Sequence, residues 1–310
     1  MNYDVIILGG GPAGLSCGIY TARAKLKTLI VEYSLLPPQM VLTDIIENYP
    51  GFPEGINGFD LLEKFKRQAA NFGCEFSLAT TEPKIKIVNS DFTINIENNI
   101  YNTKTIVIAT GRKPKPLGIE NETKFVGRGI SYCGICDAAL FKDKVVCVVG
   151  GGNTALQESL FISRFVKKLY LIHRRKQFRG AKILLERLTQ KNNVEVITPA
   201  TVIKILGDTK VESLEINYVD TNTTQNISCD GIFIFVGETP NTEFVKNIEG
   251  GKVELDENGY IITNEHLMTS IKGIFACGDC RKNPLKQVVV ACSEGAIVAE
   301  VINNYLENSI

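Results

Sequence analysis

Two stretches of the chain repeat the same order of hydrophobic and polar positions. In the first, residues 5–8 form an apolar run that ends in glycine, residues 12–24 have a helical composition, and residues 28–31 are apolar again. The second has apolar runs at residues 145–149 and 168–172 on either side of a helical segment. Continuous apolar runs are typical of strands buried on both faces of a parallel sheet. The order therefore predicts an α/β fold with two Rossmann-like, three-layer (ββα) nucleotide-binding domains.

Each of these βαβ units is followed by a further apolar run that ends in glycine, at residues 105–111 and 230–237. Glycine at this point allows the backbone to pass close to another group. Residues 84–96 and 202–218 alternate between apolar and polar positions. Such alternation predicts antiparallel strands, which we expect to form a side sheet in each domain.

The connections between the domains are predicted at two proline-containing segments, residues 113–116 and 238–243. After the second segment the chain has strand and helix signals but no new βαβ start, so we expect it to complete the first domain. The prediction is a discontinuous first domain, residues 1–113 and 243–310, with residues 114–242 inserted as the second domain.

The composition narrows the class of protein. Basic and acidic residues balance at 34 each, and apolar and charged residues make up 44% and 22% of the 310 residues. A chain without net charge is not expected to be a general nucleic-acid or membrane-surface binder. No uncharged apolar run reaches the roughly 18 residues of a membrane helix, and we expect the N-terminal apolar stretch to be a strand rather than a signal peptide. The nine cysteines, an odd number, predict a reducing, cytoplasmic compartment.

The first glycine-rich turn, Gly9-Gly-Gly-Pro-Ala-Gly14, lies between a predicted strand and a predicted helix. Its glycines permit a tight turn and the close approach of a pyrophosphate to the amide groups of the helix N-terminus. Glu32 ends the second strand, where a carboxylate accepts hydrogen bonds from a ribose. A glycine-rich turn without a ligand is the alternative, and the strand–helix context favours a dinucleotide site.

The second turn, Gly150-Gly-Gly-Asn-Thr-Ala155, is followed by basic residues at the position where the first unit has a carboxylate. The strand after it ends in His173, Arg174 and Arg175, and Arg179 follows closely. Guanidinium groups form forked, charge-assisted hydrogen bonds with phosphate, so this pattern predicts NADP(H) rather than NAD(H). A solvated basic cluster at a strand end is the alternative.

The chain has only two histidines, His173 and His266. Hydrolases that use Ser-His-Asp or Cys-His catalysis are therefore poorly supported. We expect His173 to position or stack on the nucleotide, with a catalytic base as the alternative, and His266 to be structural.

Cys133 and Cys136 are separated by two residues and followed by Asp137. Such a pair is a redox-active dithiol, part of a zinc site, or two packed thiols. Zinc requires four ligands, and a second pair exists at Cys277 and Cys280. The redox interpretation is favoured because a neighbouring carboxylate carries the proton that thiolate exchange requires, and because paired sulfurs pass two electrons as a unit. We therefore predict no metal.

Several separated motifs, in this order, resemble those of the low-molecular-weight, bacterial-type NADPH-dependent thioredoxin reductases, and the similarity covers nearly the whole chain. They are the two glycine-rich turns, Glu47-Asn-Tyr-Pro-Gly51, Gly127-Arg-Gly-Ile-Ser131 before the cysteine pair, His173-Arg-Arg-Lys-Gln-Phe-Arg179, Phe275-Ala-Cys-Gly-Asp279 and Gln287. The resemblance implies that FAD binds the first domain, and that NADPH and the cysteine pair belong to the second. It also implies a homodimer that passes electrons from NADPH through FAD and the disulfide to thioredoxin.

The resemblance carries roles to individual residues. It implies that Cys136 lies nearer the flavin, that Cys133 attacks the disulfide of the partner, and that Asp137 acts as the acid. Asp279 is implied to hold the ribityl chain. The implied FAD contacts are Gly9, Gly11, Pro12, Ala13, Gly14, Glu32, Gln39, Asn48, Ala109, Thr110, Gly111, Gly278, Asp279, Lys286, Gln287 and Val288. The implied NADPH contacts are Gly150, Gly152, Asn153, Thr154, His173, Arg174, Arg175 and Arg179.

The resemblance further implies that the inserted domain rotates to present nicotinamide and dithiol to the flavin in turn, with the two linkers as hinges. The same scaffold serving another disulfide protein, such as a peroxiredoxin-reducing or glutaredoxin-like partner, is an alternative. A reductase fed by ferredoxin is another, which the arginines argue against. The cysteine pair argues against a thiol-free ferredoxin–NADP reductase. A non-enzymatic redox or nucleotide sensor is the last alternative.

The chain departs from the resembled family at three places. Pro37-Pro38 replaces glycines that often precede Gln39, and proline removes amide donors and stiffens a loop. Ala138 replaces the glycine that follows the Cys-Asp pair. Cys277 and Cys280 replace apolar residues, and we expect them to be buried small hydrophobes, with a second redox pair as the alternative.

Overall fold

A computed structural model describes residues 2–33, 39–42, 45–89 and 91–307. The predicted effect of Pro37-Pro38 lies outside these residues. The chain divides into two compact units, one formed by Met1–Lys113 with Thr239–Ile310 and the other by Pro114–Glu238. Within the described ranges, no helix combines the length and apolar character that crossing a membrane requires.

The described elements alternate between strands and helices along much of the chain. The strands are β1 (Asn2–Leu8), β2 (Thr28–Tyr33), β3 (Glu75–Ala79), β4 (Lys84–Val88), β5 (Asp91–Ile96), β6 (Asn99–Ile108), β7 (Arg112–Pro114), β8 (Ile130–Ser131), β9 (Val145–Gly150), β10 (Lys168–Ile172), β11 (Val194–Ile197), β12 (Ala200–Leu206), β13 (Ser213–Tyr218), β14 (Thr223–Ser228), β15 (Gly231–Phe235), β16 (Glu238–Pro240) and β17 (Ile274–Ala276). The helices are α1 (Pro12–Arg23), α2 (Gly58–Asn71), α3 (Glu122–Phe125), α4 (Gly134–Asp137), α5 (Asn153–Ile162), α6 (Lys182–Thr189) and α7 (Val288–Glu307). Short 3-10 turns occupy Gln39–Leu42, Ala138–Phe141, Glu243–Asn247 and Gly278–Cys280.

The first unit is built on a seven-stranded sheet of order β3-β2-β1-β6-β5-β4, with β17 also paired to β6. Strands β1, β2, β3, β6 and β17 are parallel neighbours. Because side chains alternate across a strand, Val5 and Ile7 of β1 pack with the helices, while Ile6 and Leu8 pack on the opposite face. The parallel part of the sheet therefore has an apolar layer on both faces, as its continuous apolar runs predict.

The long strand β6 joins two kinds of pairing in one sheet. Its first half pairs antiparallel with β5, and its second half runs parallel to β1. Strands β4 and β5 therefore belong to the main sheet, and the expectation of a separate side sheet in the first domain is wrong. The physical reason is that β1 occupies only one edge of β6, and the 10-residue length of β6 lets β5 and β17 share its other edge.

The second unit has three layers. A parallel five-stranded sheet of order β11-β10-β9-β15-β8 lies between helices and a separate antiparallel sheet, β12-β13-β14. Cys147 and Ile232 of the parallel sheet pack with Leu214 of the antiparallel one, while Val148 of the opposite face packs with Leu156 of α5. The separate side sheet predicted for this domain is present. Where the chain passes between the units, β7 and β16 pair as a two-stranded sheet.

Candidate active site

The first glycine-rich turn brings the end of β1 against the start of α1. Gly9 has a φ of 121°, and a Cβ on Gly14 would collide with the Gly9 carbonyl oxygen. Gly11, directly before α1, faces open space, and Pro12 occupies the start of the helix, where a missing N–H costs nothing. The turn thus leaves the amide groups of the helix N-terminus open, which fits a pyrophosphate group.

The end of β6 lies beside this turn. A Cβ on Gly9 would collide with the carbonyl group of Ala109, so the two backbones touch. Thr110 donates through Oγ1 to the carbonyl oxygen of Asn241 at 2.6 Å, and its own carbonyl accepts from Asn241 Nδ2 at 3.0 Å. The Asn241 amide also donates to Gly111. The sequence did not single out Asn241, which fixes this predicted FAD-contact segment from a distant part of the chain.

The carboxylate of Glu32 lies against the first turn, as the sequence predicts. A Cβ on Gly10 would stand 2.6 Å from Glu32 Cγ. Lys66 of α2 contacts both carboxylate oxygens, at 2.8 and 2.9 Å. Lys66 therefore fixes the orientation of the predicted ribose acceptor, and nothing in its sequence neighbourhood marks it.

Predicted FAD contacts from the C-terminal segment join residues from the N-terminal half of the same unit. Asp279 accepts from Arg112 Nη2 at 2.8 Å and from its Nε at 3.0 Å. Lys286 donates to the Asp279 carbonyl at 3.2 Å, and burial lowers the pKa of its ammonium group. Asn48 Nδ2 donates to Gln287 Oε1 at 2.8 Å, directly before α7 begins at Val288. Gln39 begins a 3-10 turn, and its side chain lies outside the described part.

A buried carboxylate that the sequence analysis missed holds this segment in place. Glu294 of α7 is 8% exposed and accepts from the Gly278 amide at 2.7 Å. Its other oxygen accepts from Arg281 Nη1 at 2.6 Å and from Asn283 Nδ2 at 3.1 Å. Gly278 has a φ of 76°, which favours glycine. Because Glu294 binds both sides of Asp279, it determines the shape of the turn that presents that side chain.

The second glycine-rich turn shares two features with the first, a close backbone contact at its first glycine and open space at its third. A Cβ on Gly150 would collide with the carbonyl oxygen of Phe235, whereas Gly152, directly before α5, faces open space. Asn153 accepts from the Ala181 amide at 2.8 Å, and the exposed Thr154 follows it in the first turn of α5. The helix N-terminus is again open to an anionic group.

His173 lies behind this turn rather than at the surface. Its ring is 6% exposed, stacks on Phe178 at 4.7 Å between ring centroids, and would collide with any Cβ on Gly151. Burial is the largest cause that lowers the pKa of His173, and the nearby guanidinium groups lower it further. The glycine–imidazole contact therefore supports the backbone of the turn, and it favours a positioning role for the neutral ring over a catalytic one.

The three arginines predicted to bind a phosphate are exposed around the end of β10. They are Arg174, Arg175 and Arg179. Among the described residues, none of them forms a salt bridge within 4.0 Å, whereas the neighbouring Lys176 pairs with Asp220 at 2.9 Å. Since their guanidinium groups are not neutralised by a carboxylate, they offer an anion-binding edge beside the open turn.

Cys133 and Cys136 form a disulfide at the start of α4. The Cys136 amide donates to Cys133 Sγ at 3.0 Å, so the chain folds tightly around the sulfur pair. Ser131 Oγ accepts from the Cys133 amide and donates to its carbonyl oxygen, both at 3.0 Å. Cys136 is exposed, and Asp137 is half-buried at the end of the helix.

Packing explains why glycine follows Cys133. A Cβ on Gly134 would collide with Glu158 Oε2 and would lie 3.0 Å from Ile162, both on α5. Glycine therefore lets the disulfide-bearing turn pack closely on α5. Glu158 is a second carboxylate close to the cysteine pair that the sequence analysis did not identify.

The described chain has no other disulfide, and most of the remaining thiols are buried. Cys277 and Cys280 are fully buried, and burial raises the pKa of the Cys280 thiol to about 11. Cys280 Sγ donates to the carbonyl oxygens of Ile108 and Cys277. Buried thiols of raised pKa are poor nucleophiles, so this pair packs as small apolar side chains. The described ranges contain no cluster of three or more His, Cys, Asp or Glu side chains able to bind a metal ion.

Comparison with known proteins identifies the family. The chain belongs to the pyridine nucleotide-disulphide oxidoreductase family, whose model matches residues 3–295, and it is therefore an oxidoreductase. More narrowly, it is 38% identical over 308 residues to a thioredoxin reductase of Treponema pallidum, which covers 99% of this chain and 98% of the relative. It is also 38% identical over 316 residues to that of Peptoclostridium acidaminophilum, covering 98% and 97%.

The solved structures agree with the sequence relatives. The crystal structure of Lactococcus lactis thioredoxin reductase, in the FR conformation, superposes with a TM-score of 0.91 at 36% identity and covers 99% of both chains. The resemblance drawn from the separated motifs is confirmed, and so is the α/β fold with parallel, Rossmann-like sheets.

Proposed function

We propose that this chain is an NADPH-dependent thioredoxin reductase. The observation that carries the proposal is the Cys133–Cys136 disulfide, whose exposed Cys136 lies at the surface of the unit that also contains the second nucleotide turn. The kinship to thioredoxin reductases over almost the whole chain supports the same activity.

The first unit is the proposed FAD-binding domain. The open turn at Gly11, the fixed carboxylate of Glu32 and the Asp279–Arg112 pair supply an anion site, a ribose acceptor and a polar contact for the ribityl chain. Bound FAD supplies two-electron transfer between the nicotinamide and the disulfide. The amide dipoles at the N-terminus of α7, directly after Gln287, favour negative charge near that point.

The second unit is the proposed NADPH-binding domain. The pyrophosphate is assigned to the turn at Gly152, and the 2′-phosphate to Arg174, Arg175 and Arg179. Three guanidinium groups that form no salt bridge within the described ranges favour the phosphorylated nucleotide over NADH. They also speak against ferredoxin as the electron donor.

The cysteine pair transfers the electrons to the partner. Two electrons and two protons open the Cys133–Cys136 bond and give a dithiol. The Cys133 thiolate then attacks the disulfide of thioredoxin, forming a mixed disulfide and releasing one partner thiolate. Cys136 next attacks Cys133, which restores the enzyme disulfide and releases the second thiolate, and Asp137 supplies the proton that this group takes up.

The surface after α4 offers a contact for a protein partner. Leu140, in the turn after α4, is 77% exposed. With Phe141 it lines a cavity of about 220 Å³ whose rim includes the basic Arg128, Lys144 and Lys210 and a single acidic residue, Asp230. An exposed apolar side chain within a basic rim suits a partner with a small apolar contact and acidic surroundings. The same surface would serve another disulfide protein, which is the alternative substrate.

Three further proposals rest on the family. The chain acts in the cytoplasm, as a homodimer, and by alternating domain orientations about the linkers. The proposed domains are residues 1–113 with 243–310 and residues 114–242. In the structure the second compact unit ends at Glu238, and the first resumes at Thr239. Paired linker strands β7 and β16 are suited to a two-stranded hinge.

The proposal is tested by following NADPH oxidation with oxidised thioredoxin from the same source. We expect turnover that depends on thioredoxin and on added or bound FAD, with NADH much less effective. Flavin reduction by NADPH without any disulfide turnover would reject the proposed activity. Turnover with only a glutaredoxin-like protein would support the alternative substrate.

Replacing Glu294 by glutamine is expected to weaken FAD binding. Glutamine keeps the size but loses the charge, and it leaves the Arg281 guanidinium, 15% exposed, without its countercharge. A hydrogen bond to a charged group contributes about 1.5–3 kcal/mol, so we expect the Kd for FAD to rise about tenfold or more. The measurement is a fluorescence titration of the apoprotein. Glu300→Gln, exposed on the same helix, is the control, and an equal Kd for both variants contradicts the role of Glu294.

A further inference from the structure

A second buried carboxylate lies in the unit that carries the disulfide. Glu122 is 3% exposed, at the start of α3. It accepts from the Leu117 amide at 2.9 Å and from the Gly118 amide at 2.7 Å. Tyr132 donates its hydroxyl proton to the same side chain at 2.7 Å. The carboxylate thus joins the segment that enters this unit to the residue directly before Cys133.

The chemistry of the contact requires a carboxylate. Three donors converge on Glu122, and an ionised carboxylate is the side chain that only accepts hydrogen bonds and has enough lone pairs for all three. Burial is the largest cause that raises the pKa of Tyr132, and its hydrogen bond to Glu122 raises the pKa further, so the phenol remains a donor. Gly118 has a φ of 75°, which lets two successive amides point at one carboxylate.

The contact reaches Cys133 through the chain, because Tyr132 directly precedes it. Ser131 of the edge strand β8 holds Cys133 directly, through hydrogen bonds to its amide and carbonyl groups. While the disulfide is closed, Cys136 also restrains Cys133. Once the disulfide opens, that covalent restraint is lost, and the position of the nucleophilic sulfur depends more on these backbone contacts and on the packing of Gly134 against α5.

We propose that Glu122 and Tyr132 are positioning residues for the redox-active pair. They hold Cys133 where its sulfur meets both Cys136 and the disulfide of a partner. The inference rests on the proposed function for its second half, the approach of a partner. Its first half, the equilibrium between dithiol and disulfide, is a property of the chain alone.

The decisive variant is Tyr132→Phe, which removes one hydroxyl group and keeps the ring. Tyr218→Phe is the matched control, because the Tyr218 hydroxyl donates at 2.8 Å to Gln225 in the same unit, at an exposed site. Glu122→Gln is the second variant, since the NH₂ of glutamine opposes one of the converging donors. If it fails to fold, Tyr132→Phe still decides.

The first measurement equilibrates the FAD-loaded full chain in dithiothreitol redox buffers, then traps thiols with iodoacetamide and counts them by mass spectrometry. Releasing the restraint gives the dithiol more freedom than the closed ring, so the ratio of dithiol to disulfide is expected to rise. We expect about a threefold rise for Tyr132→Phe, equivalent to about 14 mV, and none for Tyr218→Phe. A ratio equal to wild type, or an equal shift in the control, overturns the inference.

The second measurement separates the two halves of the reaction. We expect the rate of flavin reduction by NADPH to stay unchanged in Tyr132→Phe, while kcat/KM for thioredoxin falls about tenfold, because small misplacements of a nucleophile are costly. An equal loss in both half-reactions overturns the positioning role. The redox-buffer experiment uses neither thioredoxin nor nicotinamide, so a wild-type chain that fails to reduce thioredoxin rejects the proposed function without deciding this inference.

Discussion

Cys136→Ser is expected to abolish NADPH-driven reduction of thioredoxin while the protein stays yellow and its flavin is still reduced by NADPH. The serine hydroxyl cannot form the disulfide with Cys133, so the electrons have no route from the flavin to the partner. Loss of a covalent nucleophile typically costs many orders of magnitude, and we expect a fall of at least about a thousandfold in kcat. The measurement is NADPH oxidation with oxidised thioredoxin, beside the rate of flavin bleaching.

The matched control is Cys74→Ser, a free thiol of the first unit that takes no part in the proposed chemistry and whose hydrogen bond to the Gly18 carbonyl oxygen a serine hydroxyl can also make. It is expected to retain turnover near that of wild type. Cys133→Ser provides the mirror case, in which turnover is again lost because the retained Cys136 thiol has no partner for the disulfide. Substantial thioredoxin reduction by Cys136→Ser would defeat the assigned role of the pair.

Arg174→Ala combined with Arg175→Ala is expected to raise the KM for NADPH about a hundredfold or more, with little change for NADH. Each charge-assisted hydrogen bond to the 2′-phosphate contributes about 1.5–3 kcal/mol, and two of them are lost together. NADH carries no such phosphate, so removing the two arginines leaves the KM for NADH nearly unchanged. Steady-state kinetics with both nucleotides measures the change.

Lys176→Ala is the control for this prediction. Lys176 directly follows Arg175 and precedes Arg179 in sequence, but its ammonium group already pairs with Asp220. We expect its KM for NADPH to change less than about threefold. If the double arginine variant left the KM for NADPH unchanged, the phosphate site would lie elsewhere. That result would favour the alternative in which ferredoxin is the electron donor.

The sequence predicted the parts of the site that depend on local geometry. Close backbone contacts require glycine at positions 9, 14 and 150, while Gly11 and Gly152 leave open space next to a helix N-terminus. The Cys133–Cys136 pair is local as well, since two intervening residues bring the sulfurs together. Such features are visible in a short window because the chain must adopt one shape there.

The side chains that hold these parts in place were not predicted. Lys66, Asn241 and Glu294 each contact a predicted site residue that is distant in sequence. Glu122 is closer to its partners, but a single carboxylate at a helix start has no distinctive pattern. These contacts depend on tertiary packing, which periodicity and motif spacing do not encode.

The sequence predicted the layers of the fold, but not that β4 and β5 belong to the main sheet of the first unit. Apolar runs identified the parallel strands, and alternation identified the antiparallel ones. Whether two antiparallel strands extend the main sheet or form their own depends on how far the shared strand reaches. In the first unit β6 is long enough for β5 and β17 to pair one after the other along the edge opposite β1. In the second unit the parallel and antiparallel strands have no strand in common.

The most direct test of the electron path is one spectrum followed under anaerobic conditions. The purified chain, supplied with FAD if needed, should show the visible band of an oxidised flavin. NADPH should bleach this band, and oxidised thioredoxin should restore it in the wild-type chain but not in Cys136→Ser. A chain that takes up no flavin, or a bleached band that thioredoxin leaves unchanged in the wild type, would contradict the relay from nicotinamide to flavin to disulfide.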